Sequence, residues 1–127
     1  MKARNLGESF RFAATGMVQA LRSERNMRIH IAAAVLAVLL SYALGLGRLE
    51  TAIVVLATVI VIVAEMVNTA LEHLVDMVTA EYHPLAAKVK NIAAGAVLTA
   101  AMGAAVVGVM IFGPRLVSMI WGGGVKP

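Results

Sequence analysis

Apolar residues fill three long stretches of the chain, over residues 29–47, 51–64 and 92–112, and polar residues gather before and between them. The first stretch carries no formal charge, His30 being neutral at pH 7, and is long enough for a hydrocarbon core of ~30 Å. In the second, the clean apolar run from Thr51 to Ala64 is short for a span by itself. No Gly or Pro stops it, however, and the helical pattern continues through Glu65, Asn68 and Glu72 to Asp76. At ~1.5 Å per residue a helix over 49–76 reaches about 42 Å, enough to cross a bilayer and emerge on the side of Asp76. Gly95, Gly103 and Gly108 interrupt the third stretch without ending it, since membrane helices tolerate glycine and use it for close contacts. Gly113-Pro114 marks a break, followed by a tail whose Trp121 suits a membrane interface.

Ahead of the spans, Leu6, Phe10, Ala13 or Ala14, Met17 and Leu21 recur at three- and four-residue spacing, which predicts a helix over 6–22. Glu8, Arg11, Thr15 and Arg22 fall mostly away from that stripe. Such a basic amphipathic helix lies along an anionic membrane surface or packs on the other helices, and both readings stand. The basic start also has something of a signal peptide, but the apolar run begins late and is longer than a usual h-region. The predicted architecture is one all-α membrane domain over 1–127, with a surface helix over 6–22 and spans over about 29–47, 49–72 and 92–112.

Composition narrows the class further. The 127 residues are 61% hydrophobic and 14% charged, and the mean hydropathy is +0.87. Soluble domains are nearer half apolar and a quarter charged, so neither a soluble domain nor a disordered chain fits. A nucleic-acid binder does not fit either, despite a pI near 10.0. A chain this small has a modest core, which makes an oligomer a fair expectation. With no cysteine, disulfides, thiol nucleophiles, iron–sulfur clusters and Cys-based zinc sites are excluded. His30, His73 and His83 match no common zinc spacing.

The placement of the charge sets the orientation. Lys2, Arg4, Arg11, Arg22, Arg25 and Arg28 precede the first span, and Lys88 and Lys90 follow the second, whereas Arg48, Arg115 and Lys126 lie on the other side. This bias predicts a cytoplasmic N-terminus and second loop, with the two termini on opposite faces of the cytoplasmic membrane.

Several polar residues go unexplained by a membrane anchor. Glu65, Asn68, Glu72 and Asp76 follow one another at steps of three, four and four, which puts them on one helical face. Three carboxylates on one stripe repel, and near hydrocarbon they are costly unless neutralised. A bound cation is the simplest neutraliser, and oxygen-only ligands suit magnesium. The alternative is a frayed helix end in water, which suits Asp76 and Glu72 better than the deeper Glu65. Glu24 reaches the same depth as Glu72 from another helix, either as a second ligand or as an arginine's salt-bridge partner. Lys88 and Lys90 lie beside the stripe, on the side where ATP is available. They either take phosphate oxygens or anchor the loop by the positive-inside rule. No P-loop or protein-kinase glycine loop is present.

These residues carry a resemblance. The run Ala64-Glu65-Met66-Val67-Asn68-Thr69-Ala70-Leu71-Glu72-His73-Leu74-Val75-Asp76 resembles the prokaryotic diacylglycerol kinase and undecaprenol kinase family. So do Glu81-Tyr82-His83-Pro84-Leu85-Ala86, Lys88-Val89-Lys90-Asn91-Ile92-Ala93-Ala94-Gly95-Ala96-Val97, and Glu24-Arg25-Asn26 with Arg28. All occur in the family's order and spacing, over about residues 5–112. The resemblance implies a homotrimer of three-span chains with a surface helix that helps hold nucleotide and shapes lipid access. It implies ATP- and magnesium-dependent phosphorylation of a lipid alcohol. Glu65 then looks like the catalytic base, and Glu24 and Glu72 like the metal ligands. Asn68, Asp76, Lys90 and Asn91 look like the nucleotide and phosphate surroundings. One departure is that the family usually has Lys-Asp where this chain has Lys90-Asn91, which keeps an acceptor oxygen and loses a charge.

The chemistry of these residue types agrees with that implication, because phosphoryl transfer is mainly positioning and charge neutralisation. A carboxylate partly withdrawn from water, as Glu65 is expected to be, makes a better base for a lipid hydroxyl. The expected product is undecaprenyl phosphate, because the Tyr82-His83-Pro84-Leu85-Ala86 loop and the lack of tryptophan before Trp121 resemble undecaprenol-type members. The alternative within the family is phosphatidic acid from diacylglycerol. Outside it stand a cation-coupled transporter and a structural membrane protein. The first should line the full membrane depth with polar groups, and the second has no use for a buried Glu65.

Overall fold

The computed structural model describes residues 5–122, and Lys2, Arg4 and Lys126 of the charge bias lie outside that range. The described residues form four helices: α1 (Leu6–Ser23), α2 (Arg25–Ala43), α3 (Arg48–Val78) and α4 (Pro84–Trp121). No strand occurs among them. The last three are each long and apolar enough to cross a membrane. The all-α membrane architecture with three spanning helices is therefore borne out.

Each helix begins and ends for a local reason. Asn5 caps α1, its side-chain oxygen accepting from the Glu8 amide at 2.8 Å. Between α1 and α2 only Glu24 leaves the helical conformation, with an extended backbone. Its own amide still donates to the Ala20 carbonyl at 3.0 Å. The Arg28 guanidinium secures the joint by donating to the Arg22 carbonyl at 3.1 Å. The chain thus turns a corner at Glu24 and holds that side chain half-buried beside the other helices.

α2 stops at Ala43, before its apolar run ends, because Gly45 adopts a left-handed φ of 62°. The Leu46 amide then reaches the Ser41 carbonyl at 2.9 Å and the Gly45 amide reaches Tyr42 at 3.1 Å, a Schellman closure that only glycine adopts without strain. Glu50 starts α3 by accepting from the Gly47 amide at 2.9 Å. Pro84 opens α4 behind a cap from His83, whose Nδ1 accepts from the Leu85 amide at 3.2 Å.

The break expected at Gly113-Pro114 does not occur. α4 runs unbroken for 38 residues, about 57 Å, straight through Pro114. A proline costs the helix one amide donor and a carbonyl contact. In apolar surroundings all the remaining backbone groups still have to be satisfied internally, and continuing the helix is how they are. Near the same end, Arg115 reaches back to Glu50 at 3.3 Å and ties α4 to the start of α3.

The packing is sparse inside and apolar outside. α3 is the central helix, contacting α2 and α4 extensively and α1 more lightly. Its buried residues are Val54, Val61, Glu65, Asn68 and Thr69, which form one inward stripe that changes from apolar to polar along its length. Met27 from α2, Ala20 from α1, and Ala93 and Val97 from α4 are buried among the helices. Large apolar side chains such as Leu36, Leu56, Leu98 and Val109 instead face outward. That inside-out distribution suits helices surrounded by lipid or by further copies of the chain, and would be a liability in water.

Candidate active site

The polar half of the α3 stripe is graded by depth. Glu65 is 2% exposed, Asn68 8% and Thr69 6%, while Glu72 is half-buried and Asp76 lies in the open. Helical periodicity alone produces the alignment, and tertiary packing of α2 and α4 over one end produces the gradient.

Two contacts order the stripe. Asn68 Nδ2 donates to Glu72 Oε1 at 2.9 Å, one helical turn away. This fixes the Asn68 amide and leaves its Oδ1 buried without a partner, as is the Thr69 hydroxyl. One turn beyond Glu72, Lys90 Nζ on α4 donates to Asp76 Oδ1 at 2.6 Å. Buried polar atoms that meet no partner among the described residues are costly, and such groups are kept where a ligand will meet them.

The corner at Glu24 brings a second chain segment to the same place. Glu24, His30 and Glu72 all lie within electrostatic reach of the Glu65 carboxylate, and Asn26 presents its side-chain amide to it. Among the described residues Glu24 forms no ion pair with Arg22, Arg25 or Arg28. Glu24 and Glu72 thus both act on Glu65, with Asn68 between Glu65 and Glu72 on α3 and the Asp76–Lys90 pair next along the helix. Asn91 stands apart. It is exposed on α4, about 100° around the helix from Lys90, and its side chain makes no hydrogen bond among the described residues.

The oxygen donors suit a hard divalent cation. Glu24 and Glu72 offer carboxylates, Asn68 offers a free amide oxygen, and no thiol exists in the chain. Among the described residues no three His, Asp or Glu side chains converge into a complete cage. Two carboxylates that leave the remaining positions to water and substrate phosphates are the usual provision for magnesium. The residues present therefore fit that ion.

Two grooves flank the cluster. One of about 760 Å³ lies between α1 and α3, with Gln19, Arg22, Ser23 and His73 at its polar edge and Thr69 in its wall. The other, about 260 Å³, lies beside the Asp76–Lys90 pair and is bordered by Glu81, Tyr82 and His83. Asn26, His30 and Thr69 were not singled out by sequence. The available signal was spacing: Thr69 is four residues from Glu65, and Asn26 is four from His30.

The chain is similar to known membrane lipid kinases. The family model for prokaryotic diacylglycerol kinase matches residues 11–112. A diacylglycerol kinase of Synechocystis is 40% identical over 93% of this chain and 68% of its own length. The undecaprenol kinase of Bacillus subtilis is 38% identical over 86% of this chain and 89% of its own length. A diacylglycerol kinase of Escherichia coli K12 is 29% identical over 67% of this chain and 70% of its own. On these matches, the chain belongs to the prokaryotic diacylglycerol kinase family of lipid kinases.

Proposed function

We propose that this chain transfers the γ-phosphoryl group of ATP to undecaprenol, with magnesium, at the cytoplasmic surface of the cell's inner membrane, and that it works as a homotrimer. The observation that carries the reading is the buried Glu65 carboxylate, one turn from Asn68 and two turns from the Glu72 that Asn68 pairs with, with Glu24 acting on it from another chain segment. A carboxylate buried at that depth has no structural use in an anchor.

Each residue of the cluster has a part in the transfer. Glu65 takes the hydroxyl proton as the lipid oxygen attacks the γ-phosphorus in line with the departing ADP oxygen. Asn68 orients Glu72 and offers its free oxygen to the reacting groups. Glu24 and Glu72 would hold magnesium, which would supply positive charge to offset that of the phosphates. Lys90 leaves Asp76 to meet the phosphates, because a nucleotide's several negative charges outcompete one exposed carboxylate. Asn91, exposed and turned about 100° from Lys90 on α4, is given no direct part in the transfer. No covalent enzyme intermediate is required. The groove between α1 and α3 offers the lipid a route from the bilayer as far as Thr69, one turn of α3 from Glu65.

The choice of undecaprenol is supported by the near-complete mutual coverage with the Bacillus subtilis undecaprenol kinase. Diacylglycerol is the second reading, supported by the 40% identity to the Synechocystis diacylglycerol kinase. Orientation is supported by the basic residues around α1 and the start of α4. The trimer is supported by the outward-facing apolar side chains of all three spanning helices, which suit neighbouring copies as well as lipid.

A substrate panel tests the reading. Purified protein with labelled ATP and magnesium is offered undecaprenol, diacylglycerol and ceramide in matched micelles. Undecaprenol is expected to be phosphorylated fastest. Phosphate appearing only on diacylglycerol would select the second reading, and no lipid product from any alcohol would reject both.

A further inference from the structure

The face that α2 turns toward Glu65 holds two polar residues to which nothing has yet been assigned. Asn26 and His30 are four residues apart and so lie on one side of α2. His30 is half-buried and lines a cavity of about 250 Å³ between α2, α3 and α4. Val61, in the wall of the same cavity, precedes Glu65 by one turn of α3. The imidazole therefore stands on α2 at the level where the α3 stripe changes from apolar Val61 to polar Glu65.

The rest of the cavity offers this ring nothing. Its α2 and α4 walls are alanines, including Ala34, Ala37, Ala101 and Ala105. The hydroxyl of Thr58, its other polar side chain, donates to the Val55 carbonyl at 2.9 Å and makes no bond to His30. Among the described residues the His30 ring makes no hydrogen bond. A polar side chain within a membrane helix is expensive without a partner and by default marks function. The groups acting on Glu65 fall into two sets. Glu24 and Glu72 are carboxylates that repel it, while His30 and Asn26, both from α2, can donate hydrogen bonds to it.

We propose that His30, with Asn26 one turn before it, is a positioning residue that holds one oxygen of the Glu65 carboxylate and leaves the other facing the lipid hydroxyl. This rests on the reading of Glu65 as the base. In the transfer step the lipid O–H bond breaks, its proton goes to the free Glu65 oxygen, the new O–P bond forms and the bond from phosphorus to the ADP oxygen breaks. His30 donates a hydrogen bond throughout, neither gaining nor losing a proton. Without it, repulsion from Glu24 and Glu72 turns the carboxylate away from the productive position.

The test uses the full chain in lipid micelles, with His30→Leu, His30→Gln and Asn26→Ala, each alone and combined with Glu65→Gln. Thermal unfolding reports whether each variant folds. His30→Leu keeps bulk but has no donor, and is expected to lower kcat by about 10- to 100-fold, the usual penalty for a misplaced catalytic group. KM for ATP and for lipid should change by less than about twofold. His30→Gln restores a donor and should recover most of the loss. Asn26→Ala, at an exposed position, should fold and lower kcat severalfold. On the Glu65→Gln background neither His30→Leu nor Asn26→Ala should reduce the residual rate further, because the group they position is gone. Normal kcat in both His30→Leu and Asn26→Ala, failure of a folded His30→Gln to recover, or losses that multiply with Glu65→Gln would each overturn the proposal. Should His30→Leu not fold, Asn26→Ala and its combination with Glu65→Gln decide by the same criteria. Normal turnover in Glu65→Gln alone would overturn the base assignment and this proposal together. A dead Glu65→Gln beside fully active His30→Leu and Asn26→Ala would overturn this one only.

Discussion

Replacing Glu65 by glutamine removes one charge and one proton acceptor while changing almost nothing else. The side chain is 2% exposed, so no solvent water stands ready to take over as base. Glutamine matches it in size and keeps an oxygen that can accept from the Asn26 amide. The Asn68–Glu72 hydrogen bond at 2.9 Å does not involve Glu65, and neither does the Asp76–Lys90 pair. Loss of a positioned general base costs about 10²- to 10⁴-fold in rate. At ~1.36 kcal/mol per decade that is about 2.7 to 5.5 kcal/mol of transition-state stabilisation. The fold should survive, because removing a charge from a site with two neighbouring carboxylates relieves repulsion. The assay is lipid-dependent turnover at saturating ATP and magnesium, alongside calorimetric binding of a magnesium–nucleotide analogue to the same preparation. Turnover should collapse while nucleotide affinity stays within about twofold. Near-normal turnover would refute the base assignment. Loss of nucleotide binding in a folded protein would instead move Glu65 among the phosphate or metal ligands.

Glu24→Gln and Glu72→Gln should each raise the magnesium concentration for half-maximal rate, and the double variant should lose less than the product of the two, because one site is disabled twice. Strictly multiplicative losses with unchanged magnesium dependence would separate the two residues. Asn91→Asp should fold and retain activity, because the side chain is exposed and makes no hydrogen bond among the described residues, and turnover with labelled ATP checks it. Reporter tags at the two ends of the chain should label opposite faces of the membrane, with Met1 inside. A cytoplasmic C-terminus in intact cells would overturn the three-span topology.

Much of this protein was legible without coordinates, and the reason is the bilayer. In hydrocarbon every backbone group must be paired within its own segment, so a long apolar run can only be a helix, and its length fixes the span. The 3.6-residue period then aligns Glu65, Asn68, Glu72 and Asp76 whatever the rest of the chain does. Punctuation was less secure. Gly113-Pro114 reads as a stop in a soluble helix, yet α4 passes through it, since the apolar medium penalises an open backbone more than the proline penalises the helix. Contacts between helices lay beyond the reach of periodicity. That Lys90 meets Asp76, that the corner at Glu24 brings its carboxylate to Glu65, and that Asn26 and His30 face the same group all depend on how α2 and α4 rotate and pack against α3. A sequence determines which residues share a helix face. Which face meets which is decided only when the side chains of all the helices compete for the same interior, and in this chain that competition buries Glu65 and leaves Asn91 outside.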